Sequence, residues 1–202
     1  MVQQIATRGG HMPTATRVPH PRETEEPIQR IPMSLAEYME LPEKPKSEWV
    51  EGVALIMPPA RPKHGALQFE LSALLGNSLR NCHGLVESGL RMPNSRRVPD
   101  IMIVDNLTDA VWIDSSPIIL AEIISPATRT QDMINKAAEY AAKGAGQYWI
   151  VDREFRLITI LLNRDGQWKD AIEVNDEHPV ADIPVGEYGT VHLDLNALLD
   201  GL

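Results

Sequence analysis

The sequence predicts an α/β (α+β) fold in which a mixed central β-sheet is flanked by helices. Apolar runs of strand length alternate with segments of helical periodicity along the chain. The apolar runs 118–124 and 147–151 stand on either side of a helical segment over 132–143. A helix between two such strands predicts that the strands are parallel and that the crossover is right-handed.

The composition predicts a soluble protein with one domain. The chain has 202 residues, of which 43% are hydrophobic and 23% charged, which is enough for a single sizeable core. Its apolar runs fall short of the roughly 18 residues that a membrane span needs. The N-terminus also lacks the pattern of a signal peptide. The single cysteine, Cys82, excludes an intramolecular disulfide bond and favours a cytoplasmic location.

The first 30 residues differ from the rest in composition and charge. Residues 1–30 are rich in Pro, Arg, Thr and Glu, so we expect a disordered leader, and the Gly-Gly-His-Met run at 9–12 is typical of a tag remnant. Residues 31–202 are expected to form a single domain. The net charge is −9, and because the leader has four arginines against three glutamates, the remaining chain carries −10. So acidic a chain binds DNA only through a local basic patch, a metal ion or a partner.

Caps and turn residues predict the elements of the first half of the domain. Ser34 and Glu37 form a capping box that begins a short helix, which Pro42 ends. Residues 47–57 are expected to form a strand pair or one long strand, with the glycine of this segment at a turn. Leucines then recur at helical spacing and predict an amphipathic helix over 64–80.

The second half is predicted to consist mainly of strands. The runs 85–92 and 98–104 are separated by a polar segment and predict a β-hairpin. After the crossover helix we expect strands at 147–151 and 156–162. The C-terminal residues alternate short apolar runs with turns and finish in a short helix over 193–199.

Two acids stand out because each lies inside an apolar strand. Asp100 lies in the run 98–104 and Glu122 lies in the run 118–124. Acids are rarely fully buried unless they are paired or bind a cation, and two carboxylates on adjacent strands suit Mg²⁺ or Mn²⁺. The alternative is that each acid faces water at a strand end, or pairs with Arg96 or Arg97.

A lysine on the crossover helix is the third candidate. Asp132 and Lys136 are four residues apart and therefore share a helix face, which Tyr140 continues. The alternative is a surface salt bridge worth a few tenths of a kcal/mol, and the spacing alone favours that alternative.

Short motifs over 34–165 resemble the Uma-type restriction endonuclease family of the PD-(D/E)XK nuclease superfamily. The matching motifs are Glu48-Trp49-Val50-Glu51-Gly52, Met57-Pro58-Pro59, His64, Arg97-Val98-Pro99-Asp100, Ala121-Glu122-Ile123-Ile124-Ser125-Pro126 with Thr128, Asp132, Lys136, Tyr140 and Tyr148-Trp149-Ile150-Val151-Asp152. Each motif is weak alone, but their order and spacing are specific.

The resemblance implies a restriction-endonuclease-like core and metal-assisted hydrolysis of DNA. It implies that Asp100, Glu122 and the Ile123 carbonyl hold Mg²⁺ (or Mn²⁺). The superfamily expects a lysine two residues after the second acid, where this chain has Ile124. The resemblance therefore implies that Lys136, on the following helix, reaches in to position the attacking water.

Four further residues are candidates for supporting roles. Asp132 is expected to hold Lys136, and His64 either donates to a phosphate at a helix N-terminus or caps that helix. Glu51 either adds a carboxylate to the metal shell or belongs to a turn, and the adjacent glycine favours the turn. Ser125 either contacts a phosphate or shapes the connection between strand and helix.

The expected partner is DNA, bound weakly through a local basic patch. The candidates for that patch are Arg91, Arg96, Arg97 and Arg129. A homodimer is possible. No organic cofactor is expected, because the chain has no glycine-rich phosphate loop. The competing interpretations are a nuclease-fold binding or assembly module without turnover, and a structural ion-pair network in a protein that binds only other proteins.

Overall fold

The computed structural model describes residues 27–124 and 131–202, and for residues 131–134 the backbone alone. In chain order the elements of the N-terminal half are β1 (Gln29–Pro32), α1 (Leu35–Tyr38), β2 (Ser47–Val50), β3 (Val53–Ile56), α2 (Pro62–Ser78), β4 (His83–Val86), β5 (Gly89–Arg91), β6 (Ser95–Arg97) and β7 (Ile101–Val104). Those that follow are β8 (Trp112–Ile113), β9 (Ile119–Ile123), α3 (Gln131–Lys143), β10 (Gln147–Asp152), β11 (Leu157–Arg164), β12 (Gln167–Val174), β13 (Val180–Pro184), a 3₁₀ turn (Gly186–Tyr188), β14 (Thr190–Asp194) and α4 (Leu195–Leu199).

The described strands form two six-stranded sheets and a two-stranded hairpin. The first sheet has the order β1-β3-β2-β6-β5-β8, and the second has the order β12-β11-β10-β9-β7-β4. Strands β9 and β10 are parallel, with Ala121 opposite Trp149, whereas β7 and β9 are antiparallel. The mixed α+β fold and the parallel pair on either side of α3 are therefore confirmed.

The second sheet is buried on both faces. One face packs against α2, α4 and the β13–β14 hairpin, and its core includes Leu67, Leu71, Leu75, Ile119, Ala121, Trp149, Val151, Leu195 and Leu198. The other face packs against α3 and part of the first sheet, and its core includes Leu90, Met92, Met102, Val104, Leu120, Tyr140 and Tyr148. Successive side chains of β9 point alternately into these two apolar cores, which explains why the segment 118–124 is an almost continuous apolar run.

The hairpin of β2 and β3 confirms the predicted strand pair. Glu51 and Gly52 form its two-residue turn, with φ values of +46° and +91°. Positive φ at both central residues is the requirement of a type I′ turn, which glycine meets without strain.

The predicted hairpin of 85–92 with 98–104 is confirmed only in part: Leu85 and Val86 pair antiparallel with Met102 and Ile101, but the rest of the first run does not join this ladder. The first run is broken after Val86, where Glu87 has a φ of +47°, so it supplies β4 to the second sheet and β5 to the first. Strand β5 pairs with β6, while β4 pairs with β7. The break lets one stretch of chain serve both sheets, because a positive φ turns the backbone out of the first ladder.

The helices differ from their predicted bounds in small ways. The capping box at Ser34 is present, but α1 ends at Tyr38 rather than at Pro42, because the amides of Glu40 and Leu41 bond three residues back instead of four. Helix α2 begins at Pro62, whose missing N–H costs nothing in a first turn. Strand β1 begins at Gln29, within the predicted leader, and residues 1–26 lie outside the described part. No described helix is long and apolar enough to cross a membrane.

Candidate active site

The two acids singled out from the sequence lie side by side. The register of β7 with β9 pairs Ile101 with Ala121, so one further step places Asp100 opposite Glu122. Residues opposite each other in an antiparallel pair project to the same face. The Asp100 carboxylate also accepts a hydrogen bond of 2.8 Å from the backbone N–H of Ile123, next to Glu122.

Contacts from helix α2 and from the loop before β2 fix Asp100, which is buried. The Lys46 ammonium lies 2.6 Å from Asp100 Oδ1, and His64 Nε2 lies 3.5 Å from Oδ2. Gln68, in α2, donates a 2.8 Å hydrogen bond to the Asp100 carbonyl. Burial opposes ionisation, but His64 and Lys46 outweigh it and lower the pKa of Asp100, so this carboxylate is ionised at neutral pH.

Helix α3 supplies the partners of Glu122. Lys136 Nζ and the Tyr140 hydroxyl donate to the same oxygen, Glu122 Oε1, at 2.9 Å and 2.8 Å. Burial raises the pKa of Glu122 despite Lys136, and the nearby Asp100 carboxylate acts in the same direction. Two carboxylates that each disfavour ionisation of the other are typical of a site that holds a cation.

Lys136 is held between two carboxylates. Besides Glu122, its ammonium lies 3.0 Å from Glu48 Oε1, and its side chain is only 12% exposed. Burial opposes the charge, but Glu122 and Glu48 outweigh it and raise the pKa of Lys136. The surface-pair interpretation that the spacing favoured is therefore wrong, because α3 turns this lysine toward the sheets.

A buried ionic network extends from Lys136 into the first sheet. The Arg97 guanidinium lies 3.0 Å from Glu48. It also forms a bidentate salt bridge with Glu139 of α3, with hydrogen bonds of 2.6 Å and 2.9 Å. Arg97 donates to Glu48 Oε2, while Oε1, the oxygen that contacts Lys136, also accepts from the backbone N–H of Val98. Because Glu48 is completely buried, it is stable as a carboxylate only while both cations remain in place.

The pH dependence of stability follows from Glu48. Burial opposes its ionisation, but Lys136 and Arg97 outweigh this and lower the pKa of Glu48 to about 2, from an ordinary 4.5. A depressed pKa adds stability above pH 4.5 that is lost as the pH falls toward 2. We therefore expect the free energy of unfolding in urea to fall over this range. Glu48→Gln should flatten the profile, and the exposed Glu173→Gln should leave it as it is; equal profiles for all three proteins would contradict the assignment.

The predicted supporting residues have different outcomes. His64, in the first turn of α2, reaches Asp100. Glu51 belongs to the exposed turn of the β2–β3 hairpin, which is the alternative that the adjacent Gly52 favoured. The structure does not bring Glu51 to the Asp100 or the Glu122 carboxylate. Ser125 and the side chain of Asp132 lie outside the described residues, so their roles stay predictions.

The predicted basic patch needs one correction. Arg97 is 1% exposed and engaged with Glu48 and Glu139, so it is a core residue and not part of a surface patch. Arg96 is half-buried over the Trp112 ring, and Arg91 is exposed. Arg129 lies outside the described residues.

Sequence reasoning missed Lys46, and saw Glu48 only as part of a motif. Glu48 lies in the strand Ser47–Val50, so the argument used for the other acids, a carboxylate within a strand, would have found it. Lys46 gave no such signal, because it lies among the charged and proline residues of 43–46, which are typical of a solvated loop.

The chain was compared with known proteins. It is similar to a solved structure described as a putative nuclease belonging to DUF820, from Anabaena variabilis, at 22% identity and a TM-score of 0.68. The match covers 83% of this chain and 98% of that one, and it shows a shared fold. No curated protein matches the sequence. The model of a family described as "Uma2: Putative restriction endonuclease" matches residues 35–187, which include every element of the site. The chain therefore belongs to the Uma2 family, as the motifs over 34–165 implied.

Proposed function

We propose that this protein is a metal-dependent endodeoxyribonuclease that hydrolyses phosphodiester bonds in DNA. The observation that carries the proposal is the pairing of Asp100 with Glu122 on one face of adjacent strands, with an ammonium group held against each carboxylate. Membership of a family described as "Putative restriction endonuclease" supports the choice of DNA as the substrate.

The donor atoms fit a small, hard divalent cation. Asp100 and Glu122 supply carboxylate oxygens, and the Ile123 carbonyl is the third donor, because the N–H and C=O of an extended residue point to the same edge and this N–H points at Asp100. Among the described residues there is no group of three or more His, Cys, Asp and Glu side chains that could hold a metal. Two carboxylates with water and substrate phosphate are the usual set for Mg²⁺, and the same oxygens suit Mn²⁺.

The residues divide the chemistry among them. When bound, the cation supplies Lewis acidity and lowers the pKa of a coordinated water. Lys136 orients that water and stabilises the charge that develops on the phosphate. Tyr140 fixes the Glu122 carboxylate, and His64 fixes that of Asp100. Asp132 is proposed to steady Lys136, and Ser125 is proposed to contact the phosphate.

The direct test is a cleavage assay on DNA of varied sequence and strandedness with Mg²⁺ and Mn²⁺. We expect cleavage that chelation of the metal abolishes and that Glu122→Ala removes. A parent protein that binds the metal but cleaves no DNA would overturn the nuclease proposal.

The acidic chain is expected to bind DNA weakly and near the site. The first turn of α2 presents His64 beside Asp100, and the adjacent Lys63 is exposed. Helix N-termini and basic side chains both favour phosphate. Lys63→Ala should therefore weaken DNA binding at low salt and reduce the salt slope by about one.

The control for Lys63→Ala is Arg164→Ala, which removes an exposed cation at the end of β11 that lies away from Glu122. This variant should leave DNA binding unchanged. Equal losses for both variants would mean that only net charge matters.

The same measurement on Arg91→Ala tests the exposed member of the predicted basic patch. A homodimer stays a prediction.

A second candidate function is a nuclease-fold binding module without turnover. The observation that favours it is the engagement of Lys136 by Glu122 and Glu48 at once, which leaves this ammonium tied to the protein. The cleavage assay separates the two candidates, because a binding module without turnover would not cleave DNA with either metal.

A further inference from the structure

The site contains two lysines, and each is held against a different carboxylate. Lys136 contacts Glu122, as the resemblance implied, whereas Lys46 contacts Asp100. The 2.6 Å separation of the Lys46 ammonium from Asp100 Oδ1 is that of a strong charge-assisted hydrogen bond. A monovalent ammonium therefore already lies where the proposed divalent cation would bind.

The two lysines are restrained to different degrees. The Lys136 ammonium has two carboxylates at hydrogen-bond distance, Glu122 at 2.9 Å and Glu48 at 3.0 Å. The Lys46 ammonium has one carboxylate at hydrogen-bond distance and a second, Glu87, at 4.0 Å, and its side chain is 18% exposed. Lys46 thus has one carboxylate at hydrogen-bond distance to leave, whereas Lys136 has two.

The backbone of Lys46 is nevertheless anchored. Its carbonyl accepts a 2.9 Å hydrogen bond from the N–H of Met57, which closes the open end of the β2–β3 hairpin. Its flexible four-carbon stem therefore starts from a fixed point beside Asp100. A lysine ammonium is a compact cation with three donors, and it suits a phosphate oxygen as well as a carboxylate oxygen.

We propose that Lys46 is a substrate-binding lysine: its ammonium neutralises Asp100 in the metal-free protein and contacts a phosphate oxygen of DNA when a divalent cation takes its place at Asp100. This inference rests on the proposed function. The physical reason is repulsion, since a divalent cation at Asp100 weakens the ammonium–carboxylate pair just as it brings a phosphate into reach. Lys46 and a metal ion therefore compete for Asp100, yet both serve the same substrate.

This competition predicts opposite effects of one substitution. Lys46→Met should bind Mn²⁺ at least about fivefold more tightly in a calorimetric titration without DNA, because the competing charge is gone. The same variant should cleave DNA at least about tenfold more slowly at saturating Mn²⁺, because the phosphate loses a donor. Lys46→Arg should recover part of the cleavage rate and lose the gain in metal affinity.

Two further variants control for charge and for folding. Lys44→Met removes an exposed ammonium, which is 81% exposed and bound to Glu87, and should change Mn²⁺ affinity less than twofold. Lys46→Gln keeps a donor for Asp100 without the charge. Lys46→Gln should also bind Mn²⁺ more tightly and cleave DNA more slowly than the parent. It takes the place of Lys46→Met as the test if Lys46→Met does not fold.

The outcomes separate this inference from the proposed function. Tighter Mn²⁺ binding together with slower cleavage supports Lys46 as a substrate-binding lysine, because a purely structural defect would weaken both. Unchanged Mn²⁺ affinity or unchanged cleavage in Lys46→Gln, in a parent that binds Mn²⁺ and cleaves DNA, overturns the role of Lys46 alone. A parent that neither binds Mn²⁺ nor cleaves DNA overturns the proposed function and this inference with it.

Discussion

Glu122→Gln is expected to abolish Mn²⁺ binding and to lower the rate of DNA cleavage by about a hundredfold or more. The amide keeps the shape of the carboxylate and an oxygen that accepts from Lys136 and Tyr140, so the fold should persist. What is lost is one of the two anionic donors that would hold the cation. Calorimetric titration with Mn²⁺ and single-turnover cleavage measure the two effects.

The matched control for Glu122→Gln is Glu70→Gln, the same chemical change at an exposed position on α2. It should leave both quantities unchanged. A Glu122→Gln protein that still binds Mn²⁺ at the parent affinity would show that the metal site lies elsewhere. Loss of folding in the variant, seen by circular dichroism, would show that the carboxylate has a structural role as well.

Lys136→Met should have the largest effect on stability, a loss of about 3–5 kcal/mol in the free energy of unfolding at neutral pH. The substitution leaves Glu48 and Glu122 buried without the ammonium that joins them. The loss should shrink as the pH falls, because protonation of the two acids removes the unpaired charge. Urea denaturation at several pH values measures it.

Lys143→Met is the control on the same helix. Its ammonium pairs with Asp114, which is 69% exposed, so the expected loss is below about 1 kcal/mol. A Lys136→Met protein as stable as this control would contradict the buried bridge. Cleavage at the parent rate by folded Lys136→Met would instead remove Lys136 from the chemistry and leave it with a structural role.

The local patterns of the sequence were sufficient to predict the two acids and the parallel strands. Asp100 and Glu122 were recognisable because a charge inside an apolar strand needs a special partner, which is a local signal. The partners themselves were harder to predict. Lys46 and Glu48 come from a hairpin about 50 residues before Asp100, and residues so far apart meet only through sheet topology, which composition does not encode.

Two errors have physical explanations of the same kind. Arg97 was a candidate for the surface patch because it lies near Asp100 in sequence, and only the positions of Glu48 and Glu139 explain its burial. The break in the run 85–92 could not be predicted, because it occurs at Glu87, which has a positive φ. Glutamate rarely adopts a positive φ, so the sequence contains no signal for a turn at this position.

The ion pairs between distant segments have a consequence for how activity is acquired during folding. Lys46 and Asp100 are 54 residues apart in sequence, and Arg97 and Glu139 are 42 residues apart. Contacts of such high sequence separation form late, since the entropy of closing long loops must be overcome before they stabilise the chain. No fragment shorter than residues 46–139 contains both pairs. Recovery of metal binding during refolding should therefore follow the slowest, global phase rather than the formation of helices, and local opening of α3 in the native protein should free Glu122 from Lys136 and Tyr140.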